Sequence, residues 1–505
     1  MSAPRKKHAK KAQEETKNNM KIAMRATVVI IVLLLAFALF INSSILVRNA
    51  TAVEIEGVKY TVADFNYFFQ NAYNEYYMTV QSAQGPSSML PQTGKPLKSQ
   101  IYDEGTGETW SDFFRRLALV EMKETTNIYK KAVAEGFTLA DETREKMEDE
   151  IKSLSDTVTL YGYKKFDDYL QSVYGNGMTE AIYRRNVERT YVVEEYTKQY
   201  EESLNYSQDE LNTYYGENED SLDFYKYRYF LVRAEAVDEE ALGYDEEAIE
   251  KAKEEALEKA RVRAEEYAGR VNSEEDFITV AREYDSEQYA DDNSTLRFYK
   301  GELLGSAYGP WLRDAGRVEG DVTTSKIVSG YYVVYFISRN DNRYVTHNIR
   351  YLTIAPNSVQ YETGTEEEKA AKLEENKKEA ETTANTAFDQ WLQMEGTEDA
   401  FLELAKMYEG VTNVITESGQ LENVYLSQLP KMCEEWLYSG DRTVGDSTLL
   451  HDPEVGYYLL YYTGEGRIYR DVLAEEGLRE RDMRTWKESM TAEDAKLTWF
   501  IRLGK

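Results

Sequence analysis

Histidine and cysteine carry much of the nucleophilic, proton-transfer and metal chemistry of proteins, and this 505-residue chain holds few of them. Its histidines are His8, His347 and His451, and its single cysteine is Cys433. One cysteine excludes an internal disulfide and a cysteine-cluster metal site, so we expect Cys433 to be a small buried residue. His8 lies in a basic tail, and the other two histidines are 104 residues apart, so we expect surface positions for both. We predict no metal and no cofactor.

The acidic composition limits the classes of partner. The chain has 60 Lys and Arg against 91 Asp and Glu, a net charge of −31. Such an excess repels nucleic-acid phosphates, so we predict no nucleic-acid binding. With 42% hydrophobic and 30% charged residues, the chain can build hydrophobic cores and is not disordered as a whole. Its length indicates three or four domains.

The N-terminal region departs from this acidic composition. Residues 1–25 have a net charge of +6 and are predicted to be a cytoplasmic basic tail. Residues 26–47 carry no charge, and as a helix these 22 residues would span about 30 Å, the thickness of bilayer hydrocarbon. We predict a single-pass transmembrane helix with a cytoplasmic N-terminus and the bulk of the chain extracytoplasmic. A cleaved signal peptide is the alternative, because residues 50–52 (Ala-Thr-Ala) fit a cleavage site.

The next segment, residues 52–215, is predicted to be a mostly helical module that follows a short pair of strands. Residues 52–60 alternate apolar and polar around a glycine, which is typical of paired strands. Thr61 can cap a helix whose aromatic face begins at Phe65. Residues 84–107 are rich in Gly, Pro and Ser and are predicted to form an exposed loop.

The remaining sequence contains an internal repeat. In each half a strand is followed by two helices, a short strand, a short helix and a final strand. A tyrosine of the first strand precedes a Trp-Leu pair by 82 residues in one half and 85 in the other, and Gly-Tyr-Tyr follows that Trp after 19 and 20. The matching positions are Tyr229 and Tyr351, Trp311 and Trp436, and Gly330 and Gly456. We predict two tandem copies of one α+β domain, copy one (216–341) and copy two (342–466).

The repeat resembles the parvulin-type (PpiC) prolyl isomerases. Residues 227–232 (Tyr-Arg-Tyr-Phe-Leu-Val) resemble the first strand of that family, and residues 329–334 (Ser-Gly-Tyr-Tyr-Val-Val) resemble its closing strand. Residues 210–215 (Glu-Leu-Asn-Thr-Tyr-Tyr) are similar to the segment before the isomerase domain in SurA-, PrsA- and PpiD-like folding factors. The resemblance implies an α+β fold: a SurA-like chaperone module, then two parvulin-like domains, each a four-stranded antiparallel sheet with helices. Residues 467–505 are predicted to be helical and to pack on the chaperone module.

The resemblance also implies which residues could form a catalytic site. Active parvulins carry two histidines on adjacent central strands, and this chain has tyrosines there. These are Tyr229 and Tyr332 in copy one, and Tyr351 and Tyr458 in copy two. Glu287 falls where the family has a polar carboxylate. The candidate catalytic residues are therefore Tyr229, Tyr332 and Glu287. The alternatives are that the tyrosines are ordinary core residues and that Glu287 is a solvated loop acid.

Three apolar residues of copy one match the proline-binding pocket of the family. The candidate substrate-binding residues are Leu303, Trp311 and Leu312. Packing alone is the alternative for all three. Copy two departs further from the family and is predicted to be a degenerate, inactive domain.

From the resemblance we expect a membrane-anchored extracytoplasmic chaperone or foldase whose partners are unfolded secreted polypeptides and the secretion machinery. Isomerase activity is expected to be weak or absent, because both family histidines are replaced. Prolyl isomerisation has a barrier of about 20 kcal/mol but needs no permanent proton transfer. A pocket that excludes water can therefore suffice, and an active isomerase in copy one is an alternative. A scaffold that holds membrane partners is a third hypothesis.

Overall fold

The computed structural model describes residues 27–33, 44–83, 85–158, 160–359, 363–408, 411, 414–415, 420–490 and 494–505. These residues form helices and antiparallel sheets, so the α+β class is as predicted. They divide into two compact units. The first unit runs to Asn205 and includes Arg479–Lys505, and the second unit is Tyr206–Leu478.

The transmembrane helix predicted over residues 26–47 is wrong. No helix within the described ranges is both long and apolar enough to cross a bilayer. Residues 27–33 are helical, and a separate short helix covers Ser44–Asn49. Val47 of this short helix is buried in the core of the first unit, where it lies against Gly177. Part of the apolar stretch thus packs against protein, and the single-pass membrane localisation that we predicted from it is wrong as well.

The predicted basic tail at 1–25, with His8, lies outside the described residues, as do residues 34–43.

The first unit opens with a hairpin of β1 (Thr51–Ile55) and β2 (Val58–Thr61), as predicted. Its helices are Val62–Ser82, Trp110–Ala134, Asp141–Thr157, Phe166–Tyr174 and Glu180–Ser203. The first two are joined by a segment with little regular structure. It contains the 3-10 helices Ser87–Met89 and Leu97–Ser99, then β3 (Ile101–Asp103) paired with β4 (Glu108–Thr109). This segment corresponds to the loop predicted at 84–107.

The first long helix begins at the predicted cap. The Thr61 hydroxyl accepts a hydrogen bond from the Asp64 N–H at 3.2 Å, and the Asp64 carboxylate accepts one from the Thr61 N–H at 2.9 Å. This reciprocal pair satisfies two N–H groups that the helix leaves unpaired. The aromatic face of the helix, including Phe65, Phe68 and Phe69, is buried in the core of the first unit.

The second unit begins with helix Gln208–Leu222 and continues into a four-stranded antiparallel sheet, the first sheet. Its strands are β5 (Phe224–Arg233), β6 (Leu296–Lys300), β7 (Val322–Ile327) and β8 (Gly330–Asn340), in the order β6-β5-β8-β7. Helices Glu246–Ala268 and Glu274–Tyr284 pack on one face of the sheet. The 3-10 helix Gly301–Leu303 and the short helix Gly309–Leu312 lie between β6 and β7, and the short helix packs on the other face.

A second sheet of the same unit is built from β9 (Val345–Ile354), β10 (Val414–Ile415), β11 (Gln420–Val424), β12 (Ser447–Asp452) and β13 (Gly456–Ile468). The order is β10-β9-β13-β12, and β11 also pairs with β9. The helices of this region are Glu366–Trp391, Glu398–Met407 and Lys431–Tyr438. Helix Tyr469–Ser489 follows, and the boundary between the two units falls within it.

The end of the chain belongs to the first unit. The Trp486 ring stacks on Tyr200, with ring centroids 4.3 Å apart. After it come β14 (Lys496–Leu497), which pairs with β1, and the 3-10 helix Trp499–Leu503.

The two sheets have the same central register. Leu231 of β5 lies opposite Tyr332 of β8, and Thr353 of β9 lies opposite Tyr458 of β13. The glycine that opens the closing strand has positive φ in both sheets, +154° at Gly330 and +133° at Gly456. A Cβ atom there would lie 2.2 or 2.4 Å from a carbonyl oxygen of the neighbouring strand, so both positions need glycine. We propose that the sheets are copies of one domain, with the boundaries given above.

Candidate functional site

Four tyrosines lie on one face of the first sheet and on the short helix that covers it. This aromatic cluster consists of Tyr227, Tyr229, Tyr308 and Tyr332. Tyr227 and Tyr229 share a face because side chains two residues apart on a strand point the same way. The Tyr229 ring stacks on Tyr308 with centroids 5.7 Å apart, and Tyr332 meets both rings edge-on at 5.3 Å.

The inner part of the cluster is closed to solvent. Tyr227 is fully buried, Tyr308 is 8% exposed, and their hydroxyl oxygens are 3.3 Å apart. Burial raises the pKa of Tyr227 and that of Tyr308, so both phenols are neutral near pH 7. The two hydroxyls can therefore serve as hydrogen-bond groups in a water-poor site, but not as general bases.

The outer part of the cluster is half-buried and includes both tyrosines at the positions of the family histidines, Tyr229 and Tyr332. The Arg297 guanidinium lies 4.8 Å from the Tyr229 ring centroid. An aromatic face paired with a cation in this way is a surface on which apolar and planar groups can stack. The structure thus brings Tyr229 and Tyr332 together in one contact.

The structure also places Trp311 and Leu312 beside this cluster. Leu312 is 1% exposed and packs under it, while Trp311 is half-buried at its margin. The Arg317 guanidinium lies 4.7 Å from the Trp311 ring centroid. Both residues are therefore close to Tyr229 and Tyr332.

The other two predicted site residues lie apart from the cluster. Leu303 ends a 3-10 helix and is 67% exposed, while its neighbour Leu304 is buried in the cluster. Glu287 is exposed in the loop after helix Glu274–Tyr284, where its backbone N–H donates to the Asp285 carboxylate.

Sequence reasoning missed two members of the cluster, Tyr227 and Tyr308. Tyr227 could have been found, because it lies two residues before Tyr229 on a predicted strand. Tyr308 lies just before Gly309–Leu312, whose proline at the start indicates a helix. That signal locates the helix, but it does not say which sheet face the helix covers.

The same face of the second sheet has a different interior. Tyr351 is half-buried and Tyr458 is 9% exposed, while Ile349 and Cys433 lie beside them as core residues. Cys433 is buried, as predicted, and burial raises the pKa of its thiol to about 12. The thiol is therefore protonated and unreactive at neutral pH.

The two described histidines differ in environment. His451 is exposed, as expected, but His347 is half-buried, and its Nδ1 lies 3.2 Å from the Tyr462 hydroxyl. In the part of the chain that the structure describes, no group of three His, Cys, Asp or Glu side chains is placed to hold a metal.

The first unit contains an open cavity of about 510 Å³, the helical-unit cleft. Its floor is formed by Phe69 and Tyr73 of helix Val62–Ser82, and one wall is the segment 91–98, which includes Leu97. The Ser111 hydroxyl lines the cleft, is buried, and has no hydrogen-bond partner among the described residues. A buried hydroxyl without a partner is costly unless a bound molecule or water satisfies it.

Lys505 also lines the helical-unit cleft. Burial lowers the pKa of its amine to about 8, and the amine donates to the side-chain oxygen of Gln70. The cleft is therefore mainly apolar and aromatic, with a hydroxyl and an amine at its margin.

A second open cavity of the first unit, about 680 Å³, is also lined by aromatic residues. The lining includes Leu154, Tyr161, Tyr163 and Tyr169, of which Tyr161 is 69% exposed. Exposed apolar surface of this kind marks sites of interaction with other molecules.

No protein-family model and no curated protein sequence matches this chain. Solved structures that match are a SurA-like chaperone and PrsA. The first is from a study of the two structurally related SurA-like chaperones of Campylobacter jejuni, the virulence factor PEB4 and the periplasmic protein Cj1289. It is 10% identical, covers 58% of this chain and 83% of its own, and has a TM-score of 0.18. PrsA from Bacillus subtilis is 13% identical, covers 56% of this chain and 89% of its own, and has a TM-score of 0.13. At these TM-scores the likeness carries no argument about this chain.

Proposed function

We propose that this chain is a folding factor that binds apolar segments of unfolded polypeptides, with weak or no prolyl isomerase activity. The observation that carries the proposal is the helical-unit cleft. Its floor of Phe69 and Tyr73 and its wall at Leu97 offer apolar and aromatic contact area in a cavity of about 510 Å³. Cavities of this size and lining hold apolar side chains or small molecules.

The wall of the cleft is stiff, which favours binding. Pro91 and Pro96 have fixed φ angles, and Gly94 between them has a positive φ of +81°. The Gln100 side chain also accepts a hydrogen bond from the Gln92 N–H at 2.7 Å. A wall that is ordered before binding loses less conformational entropy when a segment docks.

Other apolar side chains of the first unit are exposed to solvent and can extend such a surface. The largest exposures are Leu160 at 83%, Tyr161 at 69% and Met78 at 64%. Tyrosine gives large contact area at low entropic cost, and methionine adapts its shape to different partners. A protein that handles many unfolded sequences needs both properties.

The test is suppression of aggregation by the full chain when a denatured model enzyme is diluted from guanidinium chloride. The double variant Tyr73→Ser with Leu97→Ser should lose most of the protection, because the cleft loses an aromatic and an aliphatic contact. The matched control is Val120→Ser with Val133→Ser, two exposed helix positions that do not line the cleft. Equal protection by both double variants would reject the helical-unit cleft as the binding site, and no protection by the wild type would reject the function.

Prolyl isomerisation by the first sheet is a second candidate function. It is favoured by the buried hydroxyl pair of Tyr227 and Tyr308 beside Trp311, a water-poor site that can bind an imide carbonyl. Assay of the full chain with an X-Pro peptide should show acceleration that falls with Tyr332→Phe but not with Tyr458→Phe, its match in the second sheet. A rate equal to the uncatalysed rate would reject this activity.

A further inference from the structure

A groove of about 520 Å³ lies between the first and second sheets, both of which belong to the second unit. We call it the inter-sheet groove. Its walls are β6 of the first sheet, β11 and the loop after it, and the start of helix Tyr469–Ser489. None of the functions discussed above uses this groove.

The groove runs along the edges of two strands. Three consecutive residues of β6, Phe298, Tyr299 and Lys300, all line it. Successive side chains of a strand point to opposite faces, so three in a row can line one cavity only if the cavity follows the strand's edge. Glu422 and Asn423 of β11 are also consecutive and also line it.

Both strands have an open edge in the described structure. β6 pairs only with β5, and β11 pairs only with β9. On an edge strand, the N–H and C=O groups of alternate residues point away from the sheet and can pair with another extended chain. The inter-sheet groove therefore offers backbone hydrogen bonds to an extended polypeptide, independently of its sequence.

The floor of the groove is aromatic. Tyr425 and Tyr469 are stacked with ring centroids 4.6 Å apart and 10° between the ring planes. The Phe224 ring lies 6.0 Å from Tyr469 and extends the same surface. Such a floor accepts apolar and aromatic side chains.

The charges of the groove are mostly negative. Glu422 and Glu476 line it, while its lysine, Lys300, already forms an ion pair with Glu302 at 3.1 Å. The side-chain amide of Gln420 donates to Glu422, which holds that carboxylate in place. The groove thus favours an occupant that carries a basic residue.

We propose that the inter-sheet groove binds an extended polypeptide segment in which apolar residues alternate with Lys or Arg. The segment adds a strand along the free edge of β6, places its apolar side chains on Tyr425 and Tyr469, and places a basic side chain beside Glu422 and Glu476. This inference rests on the proposed function and deepens it, because it states which client segments the second unit selects.

The first experiment changes the probe and leaves the protein as it is. Binding of an end-capped, fluorescent eight-residue peptide of alternating Phe and Lys to the full chain is measured by anisotropy. Replacing the lysines by glutamate should weaken binding about tenfold, since two contacts of about 0.5–1 kcal/mol are lost. Methylating one alternate set of backbone amides should weaken it about tenfold too, since that set forms the edge hydrogen bonds.

The other alternate set of amides is the control for backbone pairing. An effect on one set or on both supports strand addition, and no effect of either set overturns it. Equal affinity for the lysine and glutamate peptides overturns the assigned charge preference.

The second experiment changes the groove. The variant Glu422→Lys with Glu476→Lys should weaken binding of the lysine peptide about tenfold and strengthen binding of the glutamate peptide. Glu454→Lys, an exposed charge reversal outside the groove, should leave both affinities unchanged. Equal affinities in all three proteins overturn the inference.

Two further outcomes separate the inference from the function on which it rests. If the Tyr73→Ser, Leu97→Ser variant weakens peptide binding and the groove variant does not, the inter-sheet groove is rejected and the proposed function stands. If the wild type binds the peptide through the groove but suppresses no aggregation, the function fails and the groove remains a peptide site. Self-association of the chain that the groove variant abolishes would show that a second copy is the occupant, which also overturns the inference.

Discussion

In each sheet of the second unit, a largely buried arginine of the first strand pairs with a glutamate at the start of a helix, and a guanidinium covers a tryptophan ring. The Nε–Oε1 distances are 2.7 Å for Arg228–Glu274 and 2.9 Å for Arg350–Glu398, and the guanidinium–ring distances are 4.7 Å for Arg317–Trp311 and 4.6 Å for Arg442–Trp436. The strand order and central register are also the same. These contacts hold strands and helices together, so they form the frame of each sheet domain.

The interiors that the frames enclose are different. The first sheet has Tyr227 and Tyr308 with facing hydroxyls, whereas the second has Ile349 and Cys433 as buried core residues. A change of interior at constant strand order shows that the frame does not depend on the aromatic cluster. The cluster can therefore serve binding in the first sheet, while the matching region of the second sheet only has to pack.

The largest effect tests the shared frame. Phe277 and Phe401 are both fully buried under their sheets, so either change to Ala should lower the free energy of unfolding by about 3–5 kcal/mol. Urea unfolding of the full chain, followed by hydrogen exchange of the two sheets, measures each loss. Val318→Ala, at a position that is 63% exposed, is the control. A much smaller loss for one of the two phenylalanines would break the comparison of the frames.

The next effect tests the interiors. Tyr308→Ala should lower the free energy of unfolding by about 3 kcal/mol, because it removes a ring that contacts Tyr227, Tyr229 and Tyr332. Cys433→Ala removes a single buried sulfur and should cost only about 1 kcal/mol. The same unfolding experiment gives both values. Equal losses would mean that the two interiors contribute alike, contrary to the difference described above.

The smallest effect is a pH dependence confined to the second sheet. Burial lowers the pKa of His347 below its usual value of 6.5, so the folded state favours the neutral imidazole. The stability that this gives is complete above pH 6.5 and is lost as the pH falls through the folded-state pKa. Wild type should therefore lose stability on acidification more steeply than His347→Phe, as measured by Tm between pH 8 and pH 5. His451→Phe, at an exposed position, is the control and should follow the wild type.

A matched residue of the first sheet sharpens that pH comparison. Tyr225 is buried on the same face of β5, and burial raises the pKa of its phenol to about 12. It does not titrate between pH 5 and 8, so hydrogen exchange of the first sheet should show no corresponding change. Parallel pH profiles of both sheets would contradict the assignment to His347.

Several elements were predictable because their causes are local. The Thr61 cap depends on residues three positions apart, and the hairpin of β1 and β2 depends on alternation around Gly57. The aromatic cluster was half predictable, since Tyr229 and Tyr332 follow from resemblance and Tyr227 from strand alternation. Leu303 shows the limit: its 3-10 helix leaves it exposed and turns Leu304 inward, a one-residue difference that spacing does not reveal.

The transmembrane prediction failed for a related reason. A continuous apolar stretch is favoured both by a bilayer and by a protein core, and composition does not distinguish the two. Val47 is buried against protein, in the core that also contains Phe65 and Phe68. The partner of an apolar residue is a long-range property of the fold.

The amino-acid order alone determined where helices begin, which residues share a strand face, and that one arrangement of elements occurs twice, because these depend on neighbours a few residues apart or on repeated spacing. Only the tertiary structure decided that Tyr308 covers Tyr229, that the edges of β6 and β11 line one groove, and that Leu303 stays in solvent. Each of these depends on residues distant in sequence or on the path of a turn. The free energy of packing, rather than local conformational preference, selects them.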